Sequence, residues 1–299
     1  MEVIIFQVDA FTSKLFGGNP AGVVPESKNL SEKDMLRIAN EMNLSETAFV
    51  NRIDEDRFEV RFFTPKCEVD LCGHATIATF YVLGEKGYIR NEGRSKVLIT
   101  QKTKAGILPV ELYYENDEII KVLMHQGKPE TFGKIENTEE ISEILGISKE
   151  QIGIRKFDIA PEIISTGIKD IIVPVKDKET LRKLKIDFKG MDHYCTKRDL
   201  VGMHVFALDK VDDNRVHCRN FAPAVGIPEE SATGTANGAL IYYMRRNKIL
   251  KSNAIIANQG NDMGRPSEIF CEIHGTKESE TIIKVGGTAV IVMEGIIKY

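Results

Sequence analysis

Two well-separated stretches of the chain repeat one device. The first runs Arg61-Phe62-Phe63-Thr64-Pro65 and soon reaches Gly73-His74-Ala75-Thr76, which opens an apolar run. The second runs Arg219-Asn220-Phe221-Ala222-Pro223 and soon reaches Ala232-Thr233-Gly234-Thr235-Ala236, which opens another. In each, a strand-like segment ends at proline, a loop with acidic residues follows, and a Gly/Thr-rich helix start comes next. A duplicated strand-loop-helix unit restricts the chain to two similar half-molecules, expected to face each other across a cleft. Helix N-termini bind anions through backbone N–H groups that lack helical partners. Two such termini point to a small carboxylate substrate at a pseudo-symmetric site.

The helices opened by Gly73 and Gly234 have no polar face. Ala75, Ile77, Ala78, Phe80, Tyr81, Val82 and Leu83 point all round the first, and Ala236, Ala239, Leu240, Ile241, Tyr242, Tyr243 and Met244 all round the second. A helix apolar on every side is buried on every side. Short strand-like segments flank both, several with period-two alternation, such as Phe58, Val60 and Phe62 against Glu59 and Arg61. The expected fold is therefore α/β (α+β), with two pseudo-symmetric halves, each a barrel-like sheet wrapped around a central helix. Surface helices are expected after Ser31, with Met35, Ile38, Ala39 and Met42 as its apolar stripe, and at about 138–145, 177–184 and 189–198. The polar stretch near Tyr114–Glu118 is the expected join.

Composition excludes several classes. Net charge is −4, so no basic field recommends nucleic acid or an anionic membrane as partner. The five cysteines (67, 72, 195, 218, 271) are odd in number and scattered, which fits a reducing compartment. Val3-Ile4-Ile5-Phe6 reads as a strand and not as a targeting segment, and no apolar run approaches the ~20 residues of a membrane span. The expectation is a cytoplasmic protein.

Gly17-Gly18-Asn19-Pro20-Ala21-Gly22 has phosphate-loop spacing but Val-Val where Lys-Ser/Thr is required, and no G-x-G-x-x-G follows a strand. No nucleotide cofactor is expected. Neither is a metal: the histidines are far apart, and Cys72-Gly73-His74 is too tight a pair to hold an ion on its own. Glu46 stands at a strand entrance among small and apolar neighbours, where half-burial would raise its pKa and suit it to proton transfer. A solvated turn carboxylate is the alternative there. His74, second in its buried helix, is expected to be neutral, as a core, capping or substrate-binding residue. Glu229 and Glu230 precede the second helix start, where they either favour the helix dipole or act on a ligand. Cys72, at a helix N-terminus, is expected to have a lowered pKa. A two-thiol racemase mechanism is not available, because Thr233 stands at the matching place in the second unit.

Together these motifs resemble the PhzF family of phenazine-biosynthesis proteins, built on the diaminopimelate epimerase fold. Matching segments are Val8-Asp9-Ala10-Phe11-Thr12, Gly18-Asn19-Pro20-Ala21, Ser45-Glu46-Thr47-Ala48-Phe49 and Phe63-Thr64-Pro65. Glu68 through Thr76, Gly226-Ile227-Pro228-Glu229, Ala232-Thr233-Gly234, Gln259-Gly260 and Gly264-Arg265-Pro266-Ser267 follow in the same order. The resemblance implies that the final strand returns to the first half, giving halves of 1–117 with 288–299, and 118–287. It implies a cofactor-free isomerase, of the type acting on trans-2,3-dihydro-3-hydroxyanthranilate, in which a glutamate moves a proton between ring carbons. Glu46 falls on that glutamate and His74 on a substrate-contacting histidine, with Glu230 beside them in the catalytic set. Backbone groups at Gly73, Gly234 and Thr235 would hold the substrate carboxylate, and a homodimer is implied. Two departures stand out: Glu230-Ser231 replaces the usual Asp-Pro, and Thr235 the common serine.

Overall fold

The computed structural model describes residues 1–209 and 214–299. They divide into two compact units, Met1–His125 with Gly286–Tyr299, and Gln126–Val285. Unit 1 begins with β1 (Glu2–Ala10), β2 (Asn19–Val24), α1 (Glu32–Met42), β3 (Thr47–Arg52), β4 (Arg57–Phe63) and β5 (Glu68–Val69). It continues with α2 (Gly73–Glu85), β6 (Lys96–Thr103), β7 (Gly106–Glu115) and β8 (Glu118–His125). Unit 2 holds β9 (Glu130–Lys134), α3 (Glu139–Leu145), β10 (Glu162–Ser165), β11 (Lys169–Pro174), α4 (Lys178–Arg182) and α5 (Phe188–Thr196). Then come β12 (Gly202–Leu208), β13 (Arg215–Ala222), β14 (Ile227–Glu230), α6 (Gly234–Arg246), β15 (Ala254–Gln259) and β16 (Ser267–His274). β17 (Ile282–Gly287) leads the chain back to unit 1, where β18 (Ala289–Lys298) pairs antiparallel with β1.

The two units repeat one order of strand pairing. From β1 it is antiparallel to β2, parallel from β2 to β3, antiparallel to β4, parallel from β4 to β6, and antiparallel to β7. Unit 2 repeats the same senses through β10, β11, β12, β13, β15 and β16. Each sheet curls round its own helix. α2 packs against β1, β2, β3, β7, β8 and β18, and α6 against β10, β11, β12, β15 and β16. Almost all of α2 from His74 to Leu83, and of α6 from Ala236 to Met244, is buried, as an all-apolar circumference requires.

A second layer covers the outside of each sheet. Ser31 and Asp34 form a reciprocal capping box at the start of α1, which contributes about 1 kcal/mol, and Asn43 ends the helix at φ 50°. Met35, Ile38 and Ala39 then pack on Ile5, Val24, Phe49 and Phe63. In unit 2, α3, α4 and α5 bring Ile141, Leu145, Leu181, Met191 and Tyr194 onto Ile171, Val173, Met203 and Val205. The helix expected over 177–184 is only the short α4, capped by Asp177, whose Oδ1 accepts from the Thr180 N–H at 2.8 Å.

Two local readings differ from the sequence. Tyr114–Glu118 is not a join but a hairpin turn inside unit 1, with Asn116 and Asp117 both at positive φ, the pattern of a tight β-hairpin. β2 is a strand although Pro20 and Gly22 read as loop in the sequence. Its glycine has a packing cause: a Cβ on Gly22 would stand 2.7 Å from Thr47 Oγ1, so β2 and β3 approach only without one. No helix among the described residues is long and apolar enough to cross a membrane.

Candidate active site

In unit 1 the chain enters α2 through Cys72, an extended N-cap (φ −138°, ψ 119°) whose side chain makes no capping hydrogen bond. A Cβ added to Gly73 would meet nothing closer than Met124 Sδ at 3.9 Å, so packing does not demand glycine here. Glu46 ends the turn before β3 and its carbonyl accepts from the Gly22 N–H at 3.0 Å, which anchors the backbone. Its carboxylate turns inward. Glu46 Oε2 lies 3.2 Å from His74 Nε2, with the Glu46 side chain 17% exposed and His74 5%. That oxygen is buried and no aligned hydrogen-bond donor faces it. Cys72 Sγ lies 3.4 Å from His74 Nδ1 and 3.9 Å from Nε2.

Burial and this contact together reverse three expectations about charge. Burial opposes the Glu46 carboxylate, but His74 outweighs it and holds the pKa below the ordinary glutamate value, not above it. Burial also disfavours the His74 imidazolium, yet the Cys72 sulfur and the Glu46 carboxylate hold the ring well above the ordinary histidine value. Burial pushes the Cys72 thiol up to about 11, overriding the helix terminus that was expected to lower it. With Cys72 a thiol at neutral pH, Glu46 is the charged partner of His74. The Glu46 charge therefore favours the protonated form of His74, beside a neutral thiol.

Unit 2 starts α6 with the same geometry at Thr233 (φ −128°, ψ 113°). Its surroundings are polar. Thr233 Oγ1 donates to Glu230 Oε2 at 3.0 Å, and Thr166 Oγ1 donates to the Thr235 carbonyl at 3.0 Å. Gln259 clamps the turn: Nε2 donates to the Glu230 carbonyl at 2.8 Å and to Thr233 Oγ1 at 3.1 Å, while Oε1 accepts from Thr233 N–H at 3.3 Å. Asn237 Nδ2 donates to Gln259 Oε1 at 3.0 Å and to the Thr233 carbonyl at 2.8 Å. Beneath it His204, fully buried, has Nε2 3.2 Å from Asn237 Oδ1 and Nδ1 3.0 Å from Asn220.

Burial pushes His204 down to about 4, so the ring is neutral and carries one N–H. Because two acceptors already occupy the Asn237 amide nitrogen, Asn237 shows its oxygen to the ring and Nε2 holds the proton. Asn220 must then offer its amide nitrogen to Nδ1. Asp170 is also buried: burial and the neighbouring Glu230 charge raise it to about 7, and its Oδ1 has no hydrogen-bond partner. Glu229 has a structural partner, since both its oxygens accept from Arg219 at 2.8 Å.

Unit 1 thus brings together Glu46, Gly73 and His74, and unit 2 brings together Glu230, Gly234 and Thr235. Sequence reasoning assigned nothing to Asp170, His204 or Asn237. A charged residue opening the apolar run Ile171-Ile172-Val173, and a histidine between Met203 and Val205, were the available signals.

A family model described as phenazine biosynthesis-like protein, PhzC-PhzF, matches residues 8–295. A protein of Clostridium acetobutylicum named "Uncharacterized isomerase" is 38% identical over 97% of this chain and 96% of its own. The crystal structure of the Bacillus anthracis phenazine biosynthesis protein, PhzF family, matches with a TM-score of 0.86 and 29% identity, covering 100% of both chains. A hydroxyproline epimerase from Agrobacterium vitis, solved with bound trans-4-hydroxy-L-proline, shares the fold alone: TM-score 0.63, 12% identity, 99% of this chain and 91% of that one. The chain is an enzyme of the phenazine biosynthesis-like PhzC-PhzF family, of isomerase type, on the diaminopimelate epimerase-like fold.

Proposed function

We propose that the chain is a cofactor-independent isomerase that shifts a proton within a small cyclic or unsaturated carboxylate, with Glu46 as the general acid and base. The observation that carries this reading is the Glu46 carboxylate, held ionised against His74 beside the α2 N-terminus. A carboxylate next to carbon acidified by a carbonyl-type group takes the proton. Negative charge then develops on the substrate oxygens, where N–H groups at Gly73 and the helix dipole favour it. The Glu46 carboxylic acid so formed returns the proton to a second carbon on the same face. His74 keeps Glu46 oriented and charged between turnovers. A ring lying over Glu46 excludes the remaining water and strengthens it as a base. The family resemblance puts Gly234 and Thr235 in substrate binding and Glu230 in the catalytic set, where it would contact the substrate. The longer Glu230, where the family commonly has aspartate, leaves less room beside its carboxylate and favours a substrate smaller than the phenazine precursor.

The test is solvent deuterium exchange into trans-2,3-dihydro-3-hydroxyanthranilate and smaller unsaturated carboxylates. Wild type is expected to incorporate deuterium, and Glu46→Gln to lose it while keeping fold and ligand affinity. Unchanged exchange in that variant sinks the assignment. A second reading, epimerisation, draws on Cys72 as a protonated thiol in the same cluster as an ionised Glu46, an acid and a base in one place. It predicts loss of optical activity from a chiral substrate, and that loss would have to depend on Cys72.

A further inference from the structure

The donors of unit 1 make a set that neither Cys72 nor His74 could make alone. Glu46 arrives from the turn before β3 and adds a carboxylate oxygen to the thiol and imidazole at the start of α2. Ligand atoms of all three lie within 4.8 Å of one another, and among the described residues no other group of three or more such side chains does so. A tetrahedral zinc ion binds nitrogen, oxygen and sulfur at about 2.0–2.3 Å, which sets its donors roughly 3.3–3.7 Å apart. Glu46 Oε2 and His74 Nε2 are already 3.2 Å apart, and Cys72 Sγ is 3.9 Å from the same nitrogen. Small side-chain movements are enough to close the set. The buried Oε2 faces His74 Nε2 with no aligned hydrogen-bond donor, so a cation would take the place of the Nε2 proton between the two atoms.

We propose that Glu46, Cys72 and His74 form a binding site for a divalent cation of the zinc class, and that its occupation switches proton transfer off. The donor types choose the ion. One thiolate, one imidazole and one carboxylate suit zinc or cobalt(II), whereas magnesium and calcium want oxygen throughout. Binding sends the Cys72 thiol proton and the His74 Nε2 proton to solvent, and three protein donors leave the fourth position to water. The inhibitory half rests on the proposed role of Glu46, whose lone pair would be committed to the metal and unable to take a proton from carbon. The binding half does not.

The experiment uses the full-length chain stripped with EDTA and carrying Cys67→Ser, since Cys67 is the exposed thiol. Cobalt(II) chloride is titrated in and absorbance followed. The expected result is one equivalent bound, with a thiolate-to-cobalt charge-transfer band in the near-ultraviolet that zinc chloride displaces. Cys72→Ser should abolish the band, and Glu46→Gln and His74→Asn should each weaken binding at least tenfold. Absence of the band, its survival in Cys72→Ser, or undiminished affinity in both other variants overturns the site. Zinc is then added to the deuterium-exchange assay, where one equivalent should suppress exchange at least tenfold and EDTA restore it. Exchange that continues with the site filled refutes the switch but leaves the site. Absence of exchange in the metal-free enzyme refutes the proposed function, with the cobalt result still deciding the site.

Discussion

The Arg61–Glu68 fork of unit 1 and the Arg219–Glu229 fork of unit 2 are one contact made twice. Each arginine gives Nε and Nη2 to the two oxygens of its glutamate, at 2.7 Å in unit 1 and 2.8 Å in unit 2. Each guanidinium also covers a phenylalanine two residues on, 5.1 Å from the Phe63 centroid and 4.9 Å from that of Phe221. Matched on these arginines, Ala48 and Phe62 of unit 1 correspond to His204 and Asn220 of unit 2. Glu46, one residue before Thr47, corresponds to Gly202, one before Met203. A Cβ on Gly202 would stand 1.8 Å from the Phe221 carbonyl oxygen, so unit 2 has no room for an acid there. The frame is duplicated while the interiors at the helix starts have parted: unit 1 has a charged cluster there, and unit 2 a neutral polar network.

The sharpest way to break this division is to exchange the acids. Glu46→Gln is expected to lower deuterium exchange by about three orders of magnitude, whereas Glu230→Gln should lower it by about ten- to a hundredfold, mostly through KM. Equal losses in kcat would mean that both units do acid–base chemistry. Next in size is Phe62→Asn, which gives unit 1 the residue of unit 2. It removes a fully buried ring and leaves an amide without the histidine that answers it, so urea unfolding should show a loss of about 4 kcal/mol. A loss below about 1 kcal/mol would show that the unit 1 interior accepts polarity after all.

His204 sharpens the comparison through pH. Its folded pKa of about 4 lies below the unfolded value of about 6.5, so the unfolded state binds the proton first as pH falls. The stabilisation is complete above about pH 6.5 and is lost toward pH 4, by about 3 kcal/mol at most. His204→Gln should flatten that part of a stability–pH curve measured by urea unfolding, and an unaltered curve would assign the acid loss elsewhere. The smallest difference expected is between the forks. Arg219, 15% exposed against 26% for Arg61, should cost about 2 kcal/mol on change to alanine and Arg61 about 1 kcal/mol. The reverse order in chemical denaturation would mean that the outer contact of Arg61 with Glu32 matters more than burial.

What the sequence makes legible follows from how local each cause is. Ser31 with Asp34, the apolar circumference of α2 and α6, and the glycine-opened helix starts all act over a few residues, and all stand as read. The placement of Glu46 beside a strand entrance was legible for the same reason. Its charge state was not, because the partner that sets it, His74, comes 28 residues later, and only folding brings the two within 3.2 Å. Cys72 misled for a related reason: a helix terminus is visible in sequence, but the burial that outweighs it is not. β2 was hidden because Pro20 and Gly22 spell a loop, and its strand is made by neighbours on both sides. The His204 network needs four separate segments in register, which no single window of sequence contains.

The pairing of β1 with β18 sets an order of events during synthesis. Unit 2 is one unbroken stretch, Gln126–Val285, and every strand of its repeated pairing order is made before β18 emerges. Unit 1, although it starts first, holds β1 with one long edge unanswered until β18 arrives, with Glu2 opposite Lys298 at the far end of the ladder. During that interval the edge is open to other nascent chains, and Glu2 at its outer end is one charge that discourages such pairing. The unit with the charged cluster is therefore the one whose sheet is completed last, by a strand made after the whole of unit 2.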